Sequence, residues 1–150
     1  MSIGLVMPED NQKDISLFLN GDNFDLSIND LNQTHFNKNL LISSKDQKMF
    51  LEDNECESIT ITNNQRIPAN HIVINSVIAG RGFHWQKRIK IKVIGDLIIK
   101  IIDHSLFVVN RIYLEDYLMC VATSEMGSNC PRALLEAQTI VARSWILAAE

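Results

Sequence analysis

One carboxyl group stands at a break between two stretches of helical periodicity, in Ser124-Glu125-Met126-Gly127-Ser128-Asn129-Cys130-Pro131. Counting about 100° per residue from Leu114, Glu125 falls at about 20°, between Leu118 at about 40° and Val121 at about 340°. It therefore lies within an apolar stripe. A carboxyl placed there loses hydration and, in the last turn, faces the negative end of the helix dipole; both effects raise its pKa. A glutamic acid kept protonated in this way can donate a proton as a general acid. Periodicity alone favours a plainer account, in which Glu125 swings into water or pairs with a lysine or arginine. The helix-break-helix corner weighs toward a cleft-lining role without reversing that balance.

On the second helical stretch Gln138 falls in the apolar stripe, so it is expected to be buried and hydrogen-bonded, either to backbone at the corner or to Glu125 or a sugar hydroxyl. Arg143 falls on the opposite side with Arg132, Glu136 and Thr139, and helix geometry alone makes it an exposed residue beside Glu136 or Glu150. Ser124 and Cys130 flank the corner, but neither stands in a nucleophile-elbow sequence. His35, His71, His84 and His104 lack metal-ligand spacing with one another and with the cysteines, so no metal site is expected in this chain. Gly80-Arg81-Gly82-Phe83-His84-Trp85 has tryptophan where a dinucleotide loop needs its third glycine, and no helix follows. Phe83 and Trp85 could stack on sugar rings, although two aromatics at alternating strand positions are more often core.

The elements that must position these residues fall into two classes. Up to Asn110 the apolar residues alternate in short bursts, predicting strands at Ile3–Met7, Ile15–Leu19, Leu40–Ser43, Ser58–Thr62 and His71–Ile78. Arg88–Ile94, Leu97–Ile102 and Leu106–Asn110 are expected to form an antiparallel meander, turning at Gly95-Asp96 and at Asp103-His104-Ser105. Its basic row, Arg88, Lys90 and Lys92, reads chiefly as a solvated sheet face. The Asn-rich stretch from Asn20 to Asn39 reads as irregular. From residue 111 the period becomes helical, with Leu114, Tyr117, Leu118, Val121 and Ala122 on one side, Gly127 as the stop, and a second helix from about Pro131 through Trp145. The fold class is α+β: a β-rich antiparallel body, 1–110, followed by a two-helix corner, 111–150. The second helix meets no stop signal before Glu150, which suggests a C-terminally truncated domain.

Of the 150 residues 46% are hydrophobic and 21% charged, which excludes a disordered or collagen-like chain. Fourteen basic against 18 acidic residues give a net charge of −4, a poor composition for binding nucleic acid. No apolar run is long enough to span a bilayer, and Met1–Asp10 lacks the pattern of an export signal. The three cysteines fit neither a closed disulfide framework nor a zinc ribbon.

The motifs Glu115-Asp116-Tyr117-Leu118, Ser124-Glu125-Met126 and Ala137-Gln138-Thr139-Ile140-Val141-Ala142-Arg143, in this order, resemble the SpoIID/LytB family, the sporulation stage II protein D and amidase-enhancer proteins of bacteria. The resemblance covers roughly the last forty residues closely. It implies a partial SpoIID/LytB-like domain and a lytic transglycosylase that cleaves peptidoglycan glycan strands stripped of stem peptides. It also implies that Glu125 is the catalytic acid and base, with Arg143 and Gln138 binding substrate. The alternative on the same fold is a non-catalytic module that binds glycan or stimulates an amidase. The resemblance further implies glycan strands and a cell-wall amidase as partners, a cell-envelope location, and a Cys/His-containing segment beyond Glu150 as a candidate zinc site.

Overall fold

The computed structural model describes residues 1–127 and 129–148. Strands β1 to β7 are Ser2–Val6, Asp14–Asn20, Phe24–Ile28, Leu31–Gln33, Asn39–Lys45, Lys48–Leu51 and Asn54–Cys56. Strands β8 to β12 are Ser58–Asn63, His71–Ala79, Lys87–Val93, Asp96–Ile102 and Ser105–Arg111; the helices are α1, Leu114–Met126, and α2, Arg132–Ala148. This is the α+β, β-rich fold that the two periodicities predict. The chain divides into two compact units, Ser2–Arg111 and Ile112–Glu150 together with Met1.

The β unit contains two antiparallel six-stranded sheets, ordered β1-β12-β11-β8-β3-β4 and β10-β9-β2-β5-β6-β7. Alternation decides which side chains leave water: Ile15, Leu17 and Leu19 of β2, Ile59 and Ile61 of β8, and Leu97 and Ile99 of β11 are all buried. These residues belong to one apolar cluster supplied by both sheets, which therefore pack face to face. Two-residue turns with both residues at positive φ join β3 to β4 at Asn29-Asp30, β5 to β6 at Asp46-Gln47, and β11 to β12 at Asp103-His104. Such turns match the right-handed twist of the strands they connect.

Three expectations are corrected here. The stretch from Asn20 to Asn39 is not irregular, because it holds the β3–β4 hairpin, where Leu26 pairs with Gln33 and Ile28 with Leu31. Asn29 and Asp30 form the turn of that hairpin, whereas Asp25 and Asn32 lie within its strands. The meander is also wrong at its first turn: β10 pairs with β9, whereas β11 pairs with β8 and β12 in the other sheet. The chain crosses between sheets at Ile94-Gly95-Asp96, and Gly95 is needed there for space, since a Cβ would lie 2.3 Å from the Arg111 carbonyl oxygen. Buried side chains hold that crossover in place. The Asn63 amide donates to the Ile94 carbonyl at 2.7 Å, Asp96 Oδ1 accepts from the Asn63 backbone N–H at 3.0 Å, and Asn110 Nδ2 donates to the Asp96 carbonyl at 3.0 Å. Finally, Phe83 and Trp85 are not core residues: they lie between β9 and β10 and are 64% and 52% exposed.

Candidate functional site at the helical corner

Helix α1 begins after Tyr113, whose extended backbone and carbonyl, accepting from the Tyr117 N–H at 3.0 Å, start the first turn. Glu115 and Asp116 lie in that turn, where carboxylates complement the positive end of the helix dipole. The predicted stripe faces inward, with Leu118 and Ala122 buried and Leu114, Tyr117 and Val121 half-buried. Gly127, at φ 77°, ends the helix where it was expected to end. Helix α2 starts one residue after Pro131, whose carbonyl accepts from the Leu134 N–H at 2.9 Å.

The two helices bring together the residues singled out from the motifs, in two separate pairs. Gln138 Nε2 donates to Glu125 Oε2 at 2.5 Å, linking the end of α1 to α2. Arg143 makes a two-pronged contact with Glu115: Nη2 donates to Oε2 at 2.6 Å and Nε to Oε1 at 3.2 Å. The Glu-Asp-Tyr-Leu and Ser-Glu-Met motifs of α1 are thus each tied to the Ala-Gln-x-x-x-Ala-Arg motif of α2. Arg132 takes Glu136 as its own partner at 2.7 Å, so Arg143 does not pair with Glu136. Glu150, its other expected neighbour, lies outside the described residues, as do Ser128 of the corner and the zinc segment expected beyond the chain.

Glu125 lines an open cleft of about 320 Å³ between α1 and α2, together with Tyr117, Val121, Gln138, Val141 and Trp145. One expectation about burial fails here: Gln138 is half-buried rather than buried, whereas Glu125 is exposed, as the plainer account of its stripe position has it. The reason is that stripe position measures which way a side chain points, while burial also needs something to cover it. No residue of α2 is buried, and Trp145 of its apolar stripe is 81% exposed.

Tyr117 and Trp145 are lining residues to which no role was assigned from sequence, although Tyr117 stands in a motif and both lie in the apolar stripes. Glu115, the partner of Arg143, was visible only as part of a motif. Ser124 is turned back onto its own helix, its hydroxyl donating to the Cys120 carbonyl at 2.6 Å, and so is not presented as a nucleophile. The Cys120 thiol has its pKa raised by burial and by the charge of nearby Asp116, which makes it a poor nucleophile as well. A second cleft of about 350 Å³ in the β unit, lined by residues such as His35, Phe36 and Glu52, contains none of the residues drawn from the motifs.

Fold and site together define an α+β protein with an antiparallel β unit and a helical pair that presents a glutamate in a cleft. Residues 102–150 match the SpoIID family model, described as Stage II sporulation protein, so over its last third the chain is SpoIID-like, as the motifs indicate. No curated protein and no solved structure matches the chain.

Proposed function

We propose that the chain carries the acid–base centre of a peptidoglycan lytic transglycosylase, with Glu125 as the proton donor and then the acceptor. The observation that carries this reading is the Glu125 carboxyl at an open cleft, held by Gln138 through one oxygen and accompanied by two aromatic side chains. Gln138 fixes the orientation of the carboxyl and occupies Oε2, which leaves Oε1 for proton transfer. Tyr117 and Trp145 offer flat apolar faces to sugar rings.

A glycosidase that uses water ordinarily needs two carboxyl groups. Here one suffices, because the protonated Glu125 gives its proton to the glycosidic oxygen as the bond breaks. The resulting carboxylate then takes the proton of the C6 hydroxyl of the same muramic sugar, whose oxygen closes on C1 to form the 1,6-anhydro ring. A glycan strand filling the cleft takes water from the carboxyl and supplies the desolvation that the helix pair alone does not.

The exposure of Glu125 also favours a second reading, a glycan-binding or amidase-stimulating module without turnover. Glu125→Gln separates the two, since it keeps the shape and removes the titrating proton. The proposal expects the variant to stay folded, to bind glycan stripped of stem peptides, and to lose anhydro-muramyl product by about 10²–10⁴-fold. Turnover unchanged by Glu125→Gln would refute the mechanism. Glycan binding without product from the unsubstituted protein would establish the accessory module.

A further inference from the structure

The turn between β9 and β10 holds an aromatic pair that the helical site does not use. The Phe83 and Trp85 rings are stacked, with centroids 5.7 Å apart and planes 18° from parallel, although both residues are more than half exposed. The indole is seated on Gly80, where a Cβ would fall 2.3 Å from Trp85 Cζ3. The turn beneath them is well fastened. The Phe83 N–H donates to the Gly80 carbonyl and the Gln86 N–H to the Phe83 carbonyl, each at 3.0 Å, and Gly80 and Gly82 take the positive φ that the turn requires. Arg81 is locked inward, donating through Nε and Nη2 to the Asp10 carboxylate and through Nη2 to the Leu5 carbonyl, each at 2.7 Å.

A preformed aromatic surface left in water forgoes the burial that would stabilise it, which marks it as a contact surface. The strand that follows decides the charge of its ligand. β10 is an edge strand, and Arg88, Lys90 and Lys92 of its outer face are exposed, as is Lys87 at its start. Arg88 is partly engaged by Gln12 and Ser76, whereas Lys87, Lys90 and Lys92 have no acidic partner among the described residues.

We propose that the Phe83–Trp85 pair and the basic outer row of β10 form a platform for an acidic glycan strand, with sugar rings on the aromatic faces and glycan carboxylates on the lysines. The identity of the glycan rests on the cell-wall reading of the helical corner. Stripped of its stem peptides, a muramyl strand carries one carboxylate per disaccharide, a sparse charge that a few lysines can match. A nucleic acid offers flat bases too, but its dense charge is opposed by the net −4 of the whole chain.

The test measures binding of the full chain to stripped glycan strands, to uncharged chitooligosaccharides of equal length, and to single-stranded DNA. Phe83→Ala/Trp85→Ala should weaken both sugars by about tenfold, the equivalent of about 1.4 kcal/mol. Lys90→Glu/Lys92→Glu should weaken only the acidic strands and flatten their salt dependence. Should the double aromatic variant lose its fold, Phe83→Ala alone removes the more exposed ring, and Gly80→Ala unseats the indole while leaving both rings in the chain. Sugar affinity unchanged in folded variants, or DNA bound more tightly than glycan, would overturn the platform. Anhydro-muramyl product is assayed separately. Product with platform-independent binding sinks this proposal and spares the cleavage reading, whereas platform-dependent binding without product does the reverse.

Discussion

Removing Arg143 tests whether the ion pair between the motifs serves folding or substrate. Its guanidinium grips Glu115 through two nitrogens, at 2.6 and 3.2 Å, yet the side chains are 37% and 70% exposed. Two-pronged geometry places the pair high in the range for exposed ion pairs, and solvent screening keeps it in that range, at about 0.2–1 kcal/mol. For a chain of this length about 1 kcal/mol corresponds to a melting shift of about 2–4 °C. A double-mutant cycle of Arg143→Ala and Glu115→Ala, followed by thermal unfolding, should therefore give a coupling no larger than about 1 kcal/mol. The same variants, assayed for anhydro-muramyl product, locate the role of the arginine. If Arg143 contacts glycan, its loss lowers turnover and the loss of Glu115 does not; if Glu115 positions Arg143, both do. A coupling above about 2 kcal/mol together with normal turnover by Arg143→Ala would refute the reasoning and make the pair a folding clamp.

Two further predictions concern the β unit. Burial acts to raise the Asp10 pKa, but hydrogen bonds from Arg81 and from the Met7 N–H outweigh it, so the carboxyl lies below its ordinary value. A depressed folded pKa adds stability above the unfolded value that disappears as pH falls through the folded one. Asp10→Asn should thus cost about 1–3 kcal/mol at neutral pH in urea unfolding, with the gap narrowing below about pH 4, and a pH-independent gap would count against the account. Gly95→Ala forces a Cβ to within 2.3 Å of the Arg111 carbonyl and 2.6 Å of Asn110 Nδ2 at the crossover between sheets. Its expected cost is about 1–3 kcal/mol, and a loss below about 0.5 kcal/mol would show that the crossover relaxes freely.

Local pattern alone determined a good deal of this protein. The alternation in β2, β8 and β11, the change to a helical period after Asn110, the stop at Gly127 and the turn at Asp103-His104 are all properties of short stretches, and each reappears in the structure. The three motifs likewise picked out Glu125, Gln138 and Arg143 before any geometry was known. Tertiary structure decided what those stretches meet. Gly95-Asp96 looks like a hairpin turn, but the buried Asn63, Asp96 and Asn110 bonds carry the chain into the other sheet instead. Phe83 and Trp85 have the spacing of core residues and stack in the open on a glycine-rich turn. Glu125 lies on the predicted stripe yet meets Gln138 across an exposed cleft, and Arg143 reaches Glu115, 28 positions away, rather than Glu136. Periodicity fixes the direction of a side chain because each residue turns the backbone by a set angle. Burial and partnership depend on which distant segment arrives opposite, and that is settled only by the packing of the whole chain.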